Sequence, residues 1–564
     1  MKIRSAMLAL AAAVAGAAPA VQAQPVKTGG EVNIISYLAN FDAMSWDNQA
    51  WPWKMNNDQM GMESLLRGNL KKGPAAANEY NFKAGDFMPL QVVEGSLAES
   101  YQVLENPLRV EFKLRPNVQW QAIPGVMEAR PVVANDIVKH FEAMTKSPSA
   151  IKDFWSFVDR WEAKDPGTAV VYMKNFHGAW DYMLGWGYYD GIAPPERHAL
   201  PAERRTDWRT LGGTGPYRLS DYRSGQRHVY TKNPNYWDSE VIAGRKYTLP
   251  LTDRIVIHPI RAEAAAIAAL ANGSVDILES VRWQFVDQLK KSAPELQFQR
   301  YNDYSGTYIA LRTDKPPFND VRVRRALNMA VDKQAILKTV MNGTGEIMNY
   351  PFSASWTGYY QPVKELSAAG QELFTYNPRR AKELLAEAGQ SNLEFDVLVN
   401  SGNETHMDVL PMVQAFYQQI GVKMNLKPME VGAYQAQRRK EDRTAAYMID
   451  NGSGTPIAVL RKSFQSGQAW NASFYTSDGF DKRLAAATAE RDDPKRVKML
   501  RDLNRFIIEE EVPHVWLPSQ ASYTAWWPWV KNYNGELAIG AQRQNAIYAR
   551  IWIDEDLKRR MGKR

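Results

Sequence analysis

Apolar positions in this chain fall into short alternating runs interleaved with stretches at helical spacing, and each kind predicts its element. Glu31 to Tyr37 alternates behind Gly29-Gly30 and predicts a first strand. Val110, Phe112 and Leu114 share one face of another strand, which ends at Pro116. Ile137, Val138, Phe141 and Met144 form one stripe of a helix over 131–144, entered at Pro131. An alanine-rich helix over 261–271 is stopped by Asn272-Gly273, and the strand-like run Val275 to Leu278 follows. Further on, Asn377 can cap a helix, Pro378 suits its first position, Ala381, Leu384, Leu385 and Ala388 make its buried stripe, and Gly389 ends it. A strand over 395–399, a helix over 407–419 ended by Gly421 and a strand over 422–426 complete the alternation. Such alternation predicts a mixed α/β lobe. Residues 68–95 carry Gly, Pro and Ala with weak periodicity and read as a long surface excursion.

The first 23 residues follow a different logic. Lys2 and Arg4 precede the apolar run Met7 to Ala18, and Val21-Gln22-Ala23 offers small residues at cleavage positions, so 1–23 reads as a secretory signal. The apolar run is shorter than the roughly 20 residues a membrane span requires, and Pro19 interrupts it. Cysteine is absent, which removes disulfides, thiolate catalysis, cysteine-ligated metals and a lipid anchor on an N-terminal cysteine. A periplasmic protein of a two-membrane bacterium fits these ends best. The net charge is +7, or +5 without Lys2 and Arg4, and basic residues are interleaved with acidic ones as in Arg439 to Arg443. That balance offers no concentrated basic face for nucleic acid or an anionic membrane.

Turn grammar carries the sharpest signal. Gly213-Thr214-Gly215-Pro216-Tyr217 makes a tight turn before a strand, and Lys232-Asn233-Pro234-Asn235-Tyr236-Trp237 makes a second turn closed by an aromatic pair. Other short runs stand in order along the chain. They are Leu97 to Ser100, Phe112 to Val118, Ala134 to Val138, the helix-glycine-strand step at 261–278, and Pro316-Pro317-Phe318-Asn319-Asp320-Val321-Arg322-Val323-Arg324-Arg325-Ala326-Leu327. Together, from Glu31 to about Pro518, this series resembles the family 5 extracellular solute-binding proteins, the capturing components of ABC importers. One departure is visible in the connection Gln121 to Arg130, which is longer than the family's acidic-glycine turn.

The resemblance implies an α/β fold of two lobes joined by crossing strands, with discontinuous lobes, an extra domain on the first lobe and an interlobe cleft. Carried over, the first lobe is 24–60 with 205–302 and 515–564, the extra domain is 61–204 and the second lobe is 303–514. It also implies that Asp450, at the end of the strand Ala446 to Asp450, pairs with a ligand ammonium, with Asn451 beside it. The family's acid before the following proline is missing here, and Pro456 stands where a displaced copy of that proline would. Asp450-Asn451-Gly452 is equally turn chemistry in any protein. Trp470 and Trp356 lie in segments the family directs toward ligand. Trp46, just past the first strand, is a candidate for the cleft floor, and Tyr37, at the end of that strand, is a further substrate-binding candidate. Arg443 and Arg461 flank Asp450 and could meet a ligand carboxylate, but read as solvated surface.

The 18 Trp and 26 Tyr are mostly core by size alone, yet Trp51, Trp53, Tyr359, Trp526, Trp527 and Trp529 also fall in turn-rich surroundings where a ring can line a cleft. Enzyme motifs are missing where one would look. The seven histidines contain no zincin pair, and there is neither a G-x-S-x-G elbow nor a phosphate loop. Glu509-Glu510-Glu511 reads as the solvated end of a helix. The resemblance, with no enzyme motif against it, implies a non-enzymatic, monomeric binding protein without cofactor or metal. It would capture a peptide or peptide-like small molecule and deliver it to a membrane-embedded ABC permease. The same role for an oligosaccharide, opine or other amino-bearing solute stays open, and a secreted hydrolase is the rival from another class.

Overall fold

The computed structural model describes residues 25–36, 46–50, 59–83, 87–148, 154–302, 306–438, 446–451 (backbone only), 454–541 and 543–563. Alternation behind Gly29-Gly30 produces the strand Glu31–Ile35, with Val32, Ile34 and Ile35 buried. It lies inside an eight-stranded sheet, parallel to Arg254–Ile257 on one side and to Ile277–Arg282 on the other. The strand Ser519–Trp526 runs antiparallel between Ile277–Arg282 and Gln297–Asn302. A five-stranded sheet forms the centre of the second lobe. Its order is Lys423–Met429, Glu394–Asn400, Ala446–Asn451, Gly306–Leu311 and His514–Trp516.

The chain therefore crosses between the sheets twice, after Asn302 and again at Leu517-Pro518. The second crossing differs from the expected boundary at 515. His514–Trp516 pairs with Gly306–Leu311 and belongs to the second-lobe sheet, because Asn328 of the neighbouring helix fixes it there. The Asn328 side chain donates to the His514 carbonyl at 2.8 Å and accepts from the Trp516 N–H at 2.9 Å.

A third sheet, four-stranded and antiparallel, is built from Ala98–Glu105, Leu108–Leu114, Thr168–Met173 and Val158–Asp165. The helix Ala134–Thr145 covers it with the predicted stripe, and Phe141 stacks on Trp161 with ring centroids 4.1 Å apart. Full burial of a Phe such as Phe141 contributes about 1.5–3 kcal/mol. Residues 68–95 depart from the expected surface excursion. They form only short elements, but Tyr80, Phe82, Phe87, Met88 and Val92 are buried. Aromatic rings spaced irregularly leave no periodic trace, so the segment looks polar while it feeds the core. Glu509 is also not solvated. It is buried, and it accepts from the Ser367 N–H at 3.1 Å.

The signature turns are structural. A Cβ on Gly213 would lie 2.2 Å from the Gly61 carbonyl oxygen, and one on Gly215 would lie 2.7 Å from the Met60 carbonyl oxygen. Only bare backbone can pass there. The Asn233 side chain donates to the Gly215 carbonyl at 2.9 Å, tying the second turn to the first. Tyr236 and Trp237 both donate to Glu63, whose carboxyl burial pushes up to about 7. In the Pro-Pro-Phe series, Asp320 caps the helix Val321–Met329, and buried Arg324 donates to the carbonyls of Glu511, Val512 and Phe318. Lys333 completes this frame. It donates to the carbonyls of Asn328 and Leu373, and burial lowers its ammonium to about 7.

Candidate functional site

Asp450 and Asn451 end the strand Ala446–Asn451, opposite Thr307 and Gly306 in register. Gly306 opens the second-lobe sheet directly after the first crossing. The Thr307 N–H donates to the Ser519 hydroxyl at 3.0 Å, and Ser519 begins a first-lobe strand. The backbone at Asp450 is thus one strand away from the seam between the lobes. Shortly after it, Thr455 caps the helix Pro456–Phe464 by accepting from the Ala458 N–H.

That helix forms one wall of a cavity of about 300 Å³. Ile457, Arg461, Gln465, Leu484 and Thr488 line it from the second lobe; Phe154, Phe157, Phe176, His177 and Met183 line it from the region of the four-stranded sheet. A smaller recess shares several of these residues and reaches Tyr182 and Thr455. The two walls are tied at the rim. The Gly178 N–H donates to the Thr488 carbonyl at 2.7 Å, Arg491 pairs with Glu105, and the Arg491 guanidinium lies 5.6 Å from the Phe176 ring centroid.

Electrostatics inside the cavity are one-sided. His177 Nδ1 accepts from the Ala179 N–H at 3.2 Å, which leaves the ring proton on Nε2. Burial, with Arg461 and Arg496 adding repulsion, holds its imidazolium down to about 3, so the ring is neutral near pH 7. Arg496 is engaged elsewhere, with Asp493 and the Glu490 carbonyl. Among the described residues lining the cavity, Arg461 carries the formal charge and no Asp or Glu is present. Arg461 accordingly belongs to the cavity wall, not to the open surface its sequence setting suggested. Among the described residues no group of three or more His, Asp or Glu is placed to hold a metal ion, and no helix is long and apolar enough to cross a membrane.

The predicted aromatic residues separate. Trp356 is buried where two parts of the chain meet, with Phe87 at 5.2 Å and Phe352 at 5.8 Å between centroids, and its indole N–H has no acceptor among the described residues. Trp470 is 42% exposed, with Arg438 4.4 Å and Lys462 5.9 Å from its ring centroid. Trp46 is buried in the first lobe, edge-on to Tyr222 at 5.0 Å, and its carbonyl accepts from Arg197. None of these three lines the cavity. Tyr37, Trp51, Trp53 and Arg443 lie outside the described residues. Trp527 and Trp529 stack at 4.5 Å, and their indole N–H groups donate to Leu270 and Asp276, so they are core. Sequence reasoning passed over Phe154, Phe157, Phe176 and His177. Their one signal is a pair of aromatic clusters at turns, which becomes a wall only when the second lobe packs against it.

Comparison with known proteins agrees with this architecture. Residues 92–470 match the family model described as bacterial extracellular solute-binding proteins, family 5 middle. Heme-binding protein A of Haemophilus influenzae is 25% identical over 473 residues, covering 78% of this chain and 81% of that protein. The peptide transport periplasmic protein SapA of Salmonella typhimurium is 24% identical, covering 76% and 79% respectively. Among solved structures, the periplasmic binding protein DppA of Helicobacter pylori, in complex with the peptide STSA, superposes with a TM-score of 0.74 at 20% identity, over 94% of this chain and 99% of that one. The matched segment covers most of the chain, and the superposition spans both lobes. The chain belongs to the bacterial extracellular solute-binding proteins of family 5.

Proposed function

We propose that this protein is the periplasmic substrate-binding component of an ABC importer, and that it captures a peptide or peptide-like solute between its lobes and passes it to a membrane-embedded permease. The observation that carries the reading is the half-open cavity between the second lobe and the region of the four-stranded sheet, lined by the helix that follows the strand ending in Asp450 and Asn451. In this account Asp450 receives the ammonium group of the solute, with Asn451 adjacent, and the lobes close because only the closed form touches solute from both sides. Trp356 supports closure by packing between Phe87 and Phe352. Trp46, Trp470 and Tyr37 stay as proposals for contacts outside the cavity itself.

The domain division belongs to the same proposal: 1–23 a signal cleaved near Ala23, a discontinuous first lobe, an extra domain over 61–204, and a second lobe that ends at the crossing after Trp516. The mature chain acts as a monomer without catalytic chemistry. A cavity of about 300 Å³ sits at the lower end of ligand pockets, about 300–1,000 Å³, and so favours a small solute over a long peptide. Calorimetry against a panel of di- to tetrapeptides, an opine and a neutral oligosaccharide tests the solute class. Hydrolysis of any of them would favour the secreted-hydrolase reading instead.

A further inference from the structure

Among the described residues, three ion pairs join the second lobe to the rest of the molecule, and they occupy two kinds of place. Arg282 with Glu404, at 2.7 Å, and Arg300 with Glu346, at 3.6 Å, lie beside the crossings. Arg300 stands in the strand that ends at Asn302, and Glu346 pairs in register with Ser519, where the first-lobe strand begins. Arg491 with Glu105 is the third pair, and it lies at the rim of the cavity. Glu105 ends the strand Ala98–Glu105. Arg491 follows the cavity-lining Thr488 and Ala489, and its guanidinium is 5.6 Å from the ring centroid of Phe176, which also lines the cavity. Two further ties stand at this rim, the Gly178 N–H to the Thr488 carbonyl and Gln91 to Asp493 at 3.4 Å.

Position decides what each pair can do. The crossings are stitched by backbone: the Leu517 N–H donates to the Thr307 carbonyl at 3.1 Å, and the Thr307 N–H donates to the Ser519 hydroxyl at 3.0 Å. Rotation of two bodies about such a pivot moves groups beside it little and remote groups far. The pairs at the crossings therefore persist through a rotation, and the rim pair parts. Solvent also reaches the rim pair, because 49% of the Arg491 side chain and 57% of the Glu105 side chain are exposed. Dissolved ions consequently weaken its attraction, as they do for any exposed pair and far less for a buried one.

We infer that Arg491 and Glu105 form an ionic latch across the cavity rim. It makes the parting of the second lobe from the region of the four-stranded sheet, and with it access to the cavity, sensitive to ionic strength. The inference rests on the proposed binding role and adds a regulation to it: dilute surroundings hold the rim together, and salt loosens it. A single exposed pair contributes modestly, so the latch tunes access by about two- to fivefold.

The rim carries its own reporter. The Gly178 amide exchanges with solvent deuterium when its bond to Thr488 breaks, so its rate counts partings of the rim even when they are rare. The test follows that amide by mass spectrometry in the full mature chain without solute, at 10 and 500 mM KCl. Wild type should exchange about two- to fivefold faster at the higher salt. Glu105→Gln should already exchange at the faster rate in 10 mM KCl and lose the salt response, and Arg491→Lys, which keeps the charge, should retain part of it. The Leu517 amide at the crossing should follow neither salt nor substitution. Circular-dichroism melts establish folding; if Glu105→Gln does not fold, the salt response of the wild type and of Arg491→Lys decides. A Gly178 rate indifferent to salt, a full salt response in Glu105→Gln, or an equal response of the Leu517 amide would overturn the inference. These failures are separable from failure of the binding role. A solute retained through purification alongside a salt-indifferent Gly178 amide removes the latch and leaves the role. A salt-responsive rim in a chain that captures no solute from any mixture does the reverse.

Discussion

The Gly178 N–H donates to the Thr488 carbonyl across 2.7 Å, and this bond joins the region of the four-stranded sheet to the second lobe at the rim of the cavity. Glycine is required at that point by its neighbours. A Cβ there would lie 2.4 Å from Cδ of Arg496 and 3.2 Å from Cδ1 of Ile457. The contact holds together two walls that come from segments some 300 residues apart in sequence, so it forms only when the two regions are assembled.

Gly178→Val should therefore weaken solute binding without unfolding either body. Overpacking at a tight contact costs about 1–3 kcal/mol. When that cost falls on the closed form alone, affinity drops roughly 5- to 150-fold. Calorimetry with a bound peptide, together with scattering in its presence, reads the effect. Wild-type affinity in Gly178→Val would show that the two walls need not meet for capture.

Asp450→Asn should weaken an amino-bearing solute by about 2–5 kcal/mol, or roughly 30-fold and more, because the ammonium loses its partner in a water-poor cleft. If Asp450 serves an Asx turn, Asn replaces it with almost no effect. Affinity within twofold of wild type, for a solute with a free amine, would count against Asp450.

Gly213→Val should lower the melting temperature and leave affinity at a given temperature unchanged while the protein is folded. Its Cβ would meet the Gly61 carbonyl, which is backbone and cannot swing aside, so a loss of about 1–3 kcal/mol is expected. An intact melting temperature with impaired binding would mean that the glycine-rich turn serves solute directly.

These contrasts show what the chain discloses about itself. The helix Pro378–Glu387 is legible in full, because Asn377 accepts from the Arg380 N–H and Gly389 sits at φ +69°, both local devices. The order of motifs carried the two-lobed fold for the same reason. Residues 68–95 misled because Phe82 and Phe87 are buried without any period. The cavity was not legible at all. Arg461 looks like any helical surface arginine until Phe154 and His177 arrive from the other side. Local rules describe elements, and a site made by two bodies is visible only when they are assembled.

Acid should destabilise the fold through a buried histidine relay. His140 Nε2 donates to the Tyr189 carbonyl, so its Nδ1 must accept, from the Ala193 N–H and from His198 Nε2 at 2.9 Å. His198 Nδ1 in turn accepts from Gln49 at 2.8 Å. Both rings are thereby neutral, and the charged groups that face them, Arg197 and Arg543 for His140 and Arg197 and Arg205 for His198, are all cations. Burial lowers His140 to about 4 from 6.5. The unfolded chain then binds more protons below pH 6.5, so this contribution is complete above 6.5 and is lost as pH falls toward 4, on the order of 3 kcal/mol. Glu63 and Asp190, both pushed up to about 7 by burial, act in the opposite sense. The readout is therefore the difference in melting temperature between wild type and His140→Gln, which should shrink as pH drops from 7 to 5. A difference that is constant over that range would show that the relay does not titrate.

Capture of a small organic solute is most directly tested by native mass spectrometry of the mature protein after incubation with a tryptic digest and removal of unbound peptide. The account predicts a one-to-one adduct with a short peptide, which is released when the chain is unfolded and is much reduced in Asp450→Asn. The bare mass of the mature chain, or adducts indifferent to Asp450→Asn and to peptide chemistry, would contradict it.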